Sequence, residues 1–241
     1  MSGHSKWNNI KHKKEKSDAA KAKIFTKIGK EMSVAIKAGG PDPNVNNKLR
    51  DLIAKAKANN VPNENIQRTI KKFSESNDVT YEEITYEGYG PSGVAIIVET
   101  QTDNRNRTAG NVRAWFNKYG GNLGQSGCVA FMFEEKGVVT ILDEEEEIDE
   151  DQMMEDALDC GAEDIRSDEG EYTIYTDPAD LDTVRDAIIA RGYKIDTADL
   201  AKVPSTYVSL ENEEDIENME KMLEKFNEDD DVNNVYTNWN N

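Results

Sequence analysis

The apolar residues change their rhythm near residue 78, and that change sets the kind of fold available on each side of it. Upstream, Ile24, Phe25, Ile28, Met32, Ala35 and Ile36 recur at spacings of three and four, one stripe of a helix with about 3.6 residues per turn. The spacing predicts a helix over residues 17–38, stopped by Gly39-Gly40-Pro41. A second helix, from about Asn46 to Asn59, turns Leu49, Leu52, Ile53 and Ala56 inward. A third opens near Pro62, with Ile66, Ile70 and Phe73 at i, i+4 and i+7. Three short amphipathic helices can bury one small shared core, and the polar stretch 74–78 is the expected linker.

Downstream, strands and helices alternate. Strands are expected at Ile84–Glu87 and Gly93–Gln101, joined by the turn-rich Gly88-Tyr89-Gly90-Pro91-Ser92, followed by a helix from about Asn104 to Tyr119. Further strands are expected at 128–133 and 137–142, then helix 150–160, strands 164–167 and 171–176, helix 178–191 and strand 193–199. The string closes with strand 206–210, helix 213–226 and strand 232–236. Residues 136–203 thus give strand-helix-strand-strand-helix-strand, the order of the ferredoxin-like split βαβ unit. The pieces outside that block repeat the same order. The expected fold class is α+β: an N-terminal three-helix domain (1–75) followed by two ferredoxin-like α/β domains. The acidic one (135–203) is inserted into the central one (80–134 plus 204–241). A single long mixed sheet is the alternative.

Charge follows the same division. The net charge of −19 would argue against a polyanionic partner. Yet residues 1–75 hold 17 Lys+Arg against 7 Asp+Glu, and the remainder holds 12 against 41. A polarity this abrupt points to a polyanion-binding segment on an acidic body.

The densest part of that segment carries Lys6, Lys11, Lys13, Lys14, Lys16, Lys21, Lys23 and Lys27, with His4, His12 and Trp7 among them. Ammonium groups neutralise phosphates and release counterions, which gives salt-sensitive and largely sequence-independent affinity. A flat ring among them can stack on a base. Lys23, Lys27, Lys30 and Lys37 fall opposite the apolar stripe of the first helix, so the charge continues onto an ordered face. The competing reading is a solvated basic tail with no specific partner. A second basic patch comprises Arg105, Arg107 and Arg113, with Lys118 beyond. Asp103 or Asn104 can cap the helix there, and its first-turn amides with two arginines would make an anion site. An ordinary capped helix with exposed arginines is the alternative.

Other chemistries find little purchase. Both histidines lie in the basic segment without a Cys or Ser partner, and Cys128 and Cys160 form no CxxC pair, so neither catalysis nor a cofactor is expected. The two cysteines suit buried free thiols in a reducing compartment. Asp143 to Asp151 contains eight acids in nine residues but not the spaced loop of a hard-cation site, and reads as solvated surface. Gly120-Gly121-Asn122-Leu123-Gly124 follows a helix and lacks the Lys-Ser/Thr ending of a phosphate loop, so it reads as a tight turn. No apolar run reaches the roughly 18 residues of a membrane span, and no secretory signal is expected at the N-terminus.

Several strings carry a resemblance. Gly3-His4-Ser5-Lys6-Trp7, Ile10-Lys11-His12-Lys13, Lys23-Ile24-Phe25-Thr26-Lys27 and Gly39-Gly40-Pro41-Asp42-Pro43 resemble the opening of the YebC/PmpR family. Tyr86-Glu87-Gly88-Tyr89-Gly90-Pro91, Thr102-Asp103-Asn104-Arg105-Asn106-Arg107-Thr108 and Gly120–Gly124 continue it, and it extends through Val235-Tyr236. Stretches 44–47 and 143–151 do not match closely. The resemblance implies a helical domain and two α/β domains, one within the other. It also implies a cytoplasmic, DNA-binding transcriptional regulator. Some members resemble ribosome-associated factors that help translation through difficult stretches such as consecutive prolines. The matching basic positions are Lys6, Trp7, Lys11, His12, Lys13, Lys23 and Lys27, then Arg105, Arg107 and Arg113.

Three functions therefore compete: a DNA-binding transcription regulator, a ribosome- or RNA-binding translation factor, and an acidic protein-protein adaptor with an incidental basic tail. The sequence shows no recognisable helix-turn-helix reading helix. Lysines dominate, and they favour phosphate over bases.

Overall fold

The computed structural model describes residues 18–75, 80–143, 148–168 and 170–240. These fall into two compact units. One comprises 18–75, 80–129 and 210–235; the other comprises 130–143, 148–168, 170–209 and 236–240.

Helices α1 (Asp18–Gly39), α2 (Asn47–Ala58) and α3 (Asn63–Glu75) open the first unit, within a residue or so of the periodicity. Ile28, Met32, Ala35, Leu49, Ala56 and Ile66 form their shared core, with Ile70 and Phe73 packed against it. Asn46 welds α1 to α2. Its side-chain amide donates to the carbonyls of Ala35 and Gly40 (both 2.8 Å), while its oxygen accepts the Leu49 N–H at 3.0 Å. One side chain thus satisfies the end of one helix and the start of the next. Gly40, at φ +85°, supplies the left-handed residue that ends α1.

Strands β1 (Glu82–Tyr89) and β2 (Ala95–Thr102) follow as an antiparallel hairpin, then α4 (Arg105–Lys118) and the two-residue β3 (Asn122–Leu123). Near the end of the chain come α7 (Glu213–Glu228) and β8 (Val232–Thr237), and the sheet order is β3-β1-β2-β8. Phe116 of α4 and Phe226 of α7 meet at 5.4 Å between ring centroids, beside the fully buried Ile96, Val98 and Met219. Gly88 has no alternative: a Cβ there would lie 2.6 Å from the Asn122 carbonyl oxygen and 2.8 Å from the Phe116 ring.

The second unit runs β4 (Phe133–Leu142), α5 (Glu150–Asp159), β5 (Asp164–Asp168), β6 (Glu171–Thr176), α6 (Leu181–Ala190) and β7 (Thr197–Pro204). Its sheet order β5-β6-β4-β7, with every pairing antiparallel, is that of the ferredoxin-like fold. Val139, Ile141, Met153, Ile174, Val184 and Ile188 fill its core. The expected fold class, α+β with one α/β unit inserted in the other, is found.

Two expected strands are not. Residues 128–132 form a turn and a short 3₁₀ helix, and 206–210 contributes only an isolated bridge, Val208 to Trp239. Glu87 explains the first. Its buried carboxylate accepts the N–H groups of Gly127 (2.7 Å) and Val129 (3.0 Å), so a side chain takes the place of a ladder. β1 explains the second. It occupies the position between β2 and β3 that a strand from 206–210 would fill, and a hairpin partner costs far less chain closure than one a hundred residues away. β7 also lies later than expected, because residues 193–196 stay irregular after α6.

Candidate nucleic-acid interface

The basic face of α1 meets carboxylates of its own unit. Asp231, just before β8, is the hub. Lys30 donates to its Oδ1 at 2.8 Å and to the Asp230 carbonyl at 2.7 Å. Its Oδ2 accepts from Arg107 (2.5 Å), Thr108 (2.9 Å) and Thr102 (3.1 Å). The Asp231 and Lys30 side chains are only 6% and 11% exposed, so the pair is shielded from solvent and salt. Burial by itself would raise the Asp231 carboxyl, but hydrogen bonds from Lys30, Arg107 and Thr108 outweigh it and hold the pKa at about 2. Seven residues earlier on α1, Lys23 donates to the Glu228 carbonyl at 2.8 Å, a cation placed at the carboxyl end of α7. An open depression of about 360 Å³ beside Lys30 and Arg107 is walled partly by Asp103, Asp229 and Asp230, a lining that repels phosphate.

This arrangement revises the expected interface. Lys30 and Arg107 hold the fold: the buried charges of Lys30 and Asp231 need partners, and Asp231 accepts from both Lys30 and the more exposed Arg107. Lys23 is engaged at the end of α7. Arg107 also pairs with Asp103 at 2.8 Å, which places a carboxylate beside the first turn of α4 and removes one of the two arginines of the expected anion site. Asn104, as expected, caps that helix, accepting the Arg107 N–H at 3.1 Å. Arg105 and Arg113 remain exposed on α4, with no ion pair or hydrogen bond of their side chains among the described residues. Lys27 is half-buried on α1, and Lys21 lies on the same helix. Lys6, Trp7, Lys11, His12, Lys13, Lys14 and Lys16 lie outside the described residues.

The structure also exposes cations that the spacing argument did not single out. Lys57 at the end of α2, and Arg68 and Lys71 on α3, are exposed and make no side-chain ion pair or hydrogen bond among the described residues. Lys48 and Lys55 on α2 differ, pairing with Glu83 at 3.7 Å and Glu31 at 3.8 Å. The signal for Arg68 and Lys71 was present in the sequence: both fall opposite Ile66, Ile70 and Phe73 on the α3 wheel. What was missing was knowledge of which acids lie within reach.

Beyond this surface, no group of His, Cys, Asp and Glu able to hold a metal occurs among the described residues. Cys128 and Cys160 are unpaired and partly buried, and burial raises both thiols. At the flanks of the acidic run, Asp143 accepts the Ile148 N–H and Asp149 caps α5. Residues 144–147 lie outside the described set. No described helix is long and apolar enough to cross a membrane.

Comparison with known proteins gives one answer along the chain. A family model described as the TACO1/YebC protein N-terminal domain matches residues 5–76, and one described as the TACO1/YebC second and third domain matches residues 81–239. A relative from Acetivibrio thermocellus is 54% identical over 240 residues, covering 99% of each chain. Another, from Agathobacter rectalis, is 55% identical over 240 residues with the same coverage. Both are named "Probable transcriptional regulatory protein". The crystal structure of a conserved hypothetical protein from Aquifex aeolicus superposes with a TM-score of 0.84 at 41% identity, covering 92% of this chain and 91% of that one. With both family models matching in register and relatives this similar over nearly the full length, the chain belongs to the TACO1/YebC family.

Proposed function

We propose that this protein regulates gene expression by binding nucleic acid, with DNA as its partner and transcription as the process controlled. The observation that carries the reading is a set of exposed cations without carboxylate partners among the described residues: Lys57, Arg68, Lys71, Arg105 and Arg113, on a chain whose net charge is −19. On so acidic a protein, unneutralised cations exposed on three helices are suited to an anion. The name shared by the relatives supports regulation as the outcome.

In this reading residues 1–75 are the gripping module, and Lys6, Lys11, Lys13, Lys14 and Lys16, with Trp7 and His12, add phosphate and base contacts. Residues 80–134 with 204–241 form the central domain, which contributes Arg105 and Arg113. Residues 135–203, with 23 acids against 6 basic residues, form an inserted domain that keeps other polyanions away. No catalytic step is involved.

Sedimentation of cell lysate on a gradient, paired with recovery of bound DNA, tests the assignment. Enrichment of promoter DNA, lost when Lys11, Lys13 and Lys14 become Glu, is the expected result. Co-migration with ribosomes, lost in the same variant, would move the protein to translation. Binding of neither nucleic acid would leave the adaptor reading standing.

A further inference from the structure

The connection between α2 and α3 has a geometry that residue spacing did not reveal. At the end of α2 the Asn60 N–H donates to the Lys57 carbonyl (3.0 Å) and the Val61 N–H to the Ala56 carbonyl (2.9 Å). Asn60 itself adopts the left-handed φ of 58°. This is the paired closure that ends a helix and reverses the chain sharply. Only residues 59–62 separate the two helices. The Pro62 carbonyl then accepts the N–H groups of Asn65 and Ile66, starting α3 at once. Ala56, fully buried, Val61 and Ile66 share one core. Both helices pack chiefly on α1 and touch each other sparingly. Two helices joined by a turn of about four residues over a supporting third are the architecture of the helix-turn-helix.

In such a unit the second helix reads, and its amino-terminal half carries the reading side chains. On α3 that half presents Asn63, Glu64, Asn65, Gln67 and Arg68 to solvent, and Lys71 follows exposed in the next turn. The side chains of Asn63, Gln67, Arg68 and Lys71 make no hydrogen bond or ion pair among the described residues. Asn63 and Gln67 are one turn apart and therefore adjacent, with Arg68 and Lys71 beside them. Asn and Gln amides match adenine, a guanidinium matches the O6 and N7 of guanine, and a Glu accepts from cytosine N4. A helix fits the major groove of B-form DNA, about 12 Å wide. The groove of A-form RNA is too deep and narrow to admit side chains.

The geometry points to α2 and α3 as a helix-turn-helix unit that docks on B-form duplex DNA. Asn63, Gln67 and Arg68 lie against base edges in the major groove, and Lys57 and Lys71 lie against flanking phosphates. This rests on the nucleic-acid reading above and adds what that reading lacks, a source of base discrimination separate from the amino-terminal lysines.

The test uses the full chain and a pool of duplex DNA with a randomised core. Wild-type protein is expected to enrich a recurrent sequence and to bind it at least tenfold more tightly than unselected duplex. N63A with Q67A, both neutral and exposed, should erase that preference while leaving affinity for unselected duplex within about threefold. K71A should weaken both duplexes equally and lower the slope of log affinity against log salt by about one. Matching thermal unfolding curves show that the exposed substitutions leave the fold intact. If the variant enriches the same sequence as wild type, recognition lies elsewhere and the inference fails while DNA binding stands. If wild type binds structured RNA and no duplex DNA, the inference fails together with DNA as the partner.

Discussion

Two basic helix faces in the same unit have opposite fates. The face of α1 carrying Lys23 and Lys30 is turned against residues 228–231 and engaged there, Lys30 through a buried ion pair. The side chains of Arg68 and Lys71 on α3 make no ion pair or hydrogen bond among the described residues. Both score alike on a count of charges. They differ in what they can do, because a cation already neutralised by a buried carboxylate cannot release counterions from a phosphate. Charge density along a chain therefore locates a binding region, and the folded partners decide which of its residues take part.

The sharpest way to break the contrast is at Asp231. Asp231→Ala strands Lys30 in a buried position and removes three further hydrogen-bond partners. A loss of roughly 3–5 kcal/mol in urea unfolding is expected; a loss below 1 kcal/mol would mean that the α1 face is not held as described. Acid titration gives a smaller effect of the same origin. The Asp231 pKa of about 2 lies below the ordinary carboxyl value, so its contribution is fully present above about pH 4. It disappears as the pH falls from there toward 2, and is worth roughly 2–3 kcal/mol. In Asp231→Asn this part of the acid transition should vanish from stability curves measured between those limits.

Next in size is Asn46→Ala, which removes the α2 cap and two hydrogen bonds to the end of α1. About 2 kcal/mol of destabilisation is expected, read by thermal unfolding, and no gain or loss of charge accompanies it. The smallest stability effect belongs to the other face. Arg68→Gln should change stability by less than about 0.5 kcal/mol while weakening binding to selected duplex by about tenfold in fluorescence anisotropy. Lys30→Gln should do the reverse, with a large loss of stability and little direct effect on affinity among the molecules that remain folded. Equal effects of both substitutions on affinity would dissolve the distinction between the two faces.

Much of the fold is legible in the sequence. The 3.6-residue spacing of Ile24 through Ile36 located α1, and Gly39-Gly40 located its end, because these signals are local and depend on few residues. The βαββαβ string of the second unit was readable for the same reason, since each element is bounded by its own turns. Residues 128–133 and 206–210 resisted. Both have strand-like composition, but neither could show that Glu87 would hold the amides of one or that β1 would already occupy the place of the other.

The site followed the same division. Sequence alone determined that the cations concentrate in residues 1–75 and 105–118, that Asp103 or Asn104 caps α4, and that the body is acidic, because charge and capping are properties of short segments. Tertiary structure alone decided that Lys30 and Arg107 converge on Asp231, whose separations of 201 and 124 residues leave no trace in spacing. It also decided that Asn60 bends the chain so that the polar face of α3 stands clear. A carboxylate that neutralises a lysine does so through distance in space, and in this chain that distance is set by the closing of the sheet with β8, far from the basic segment it completes.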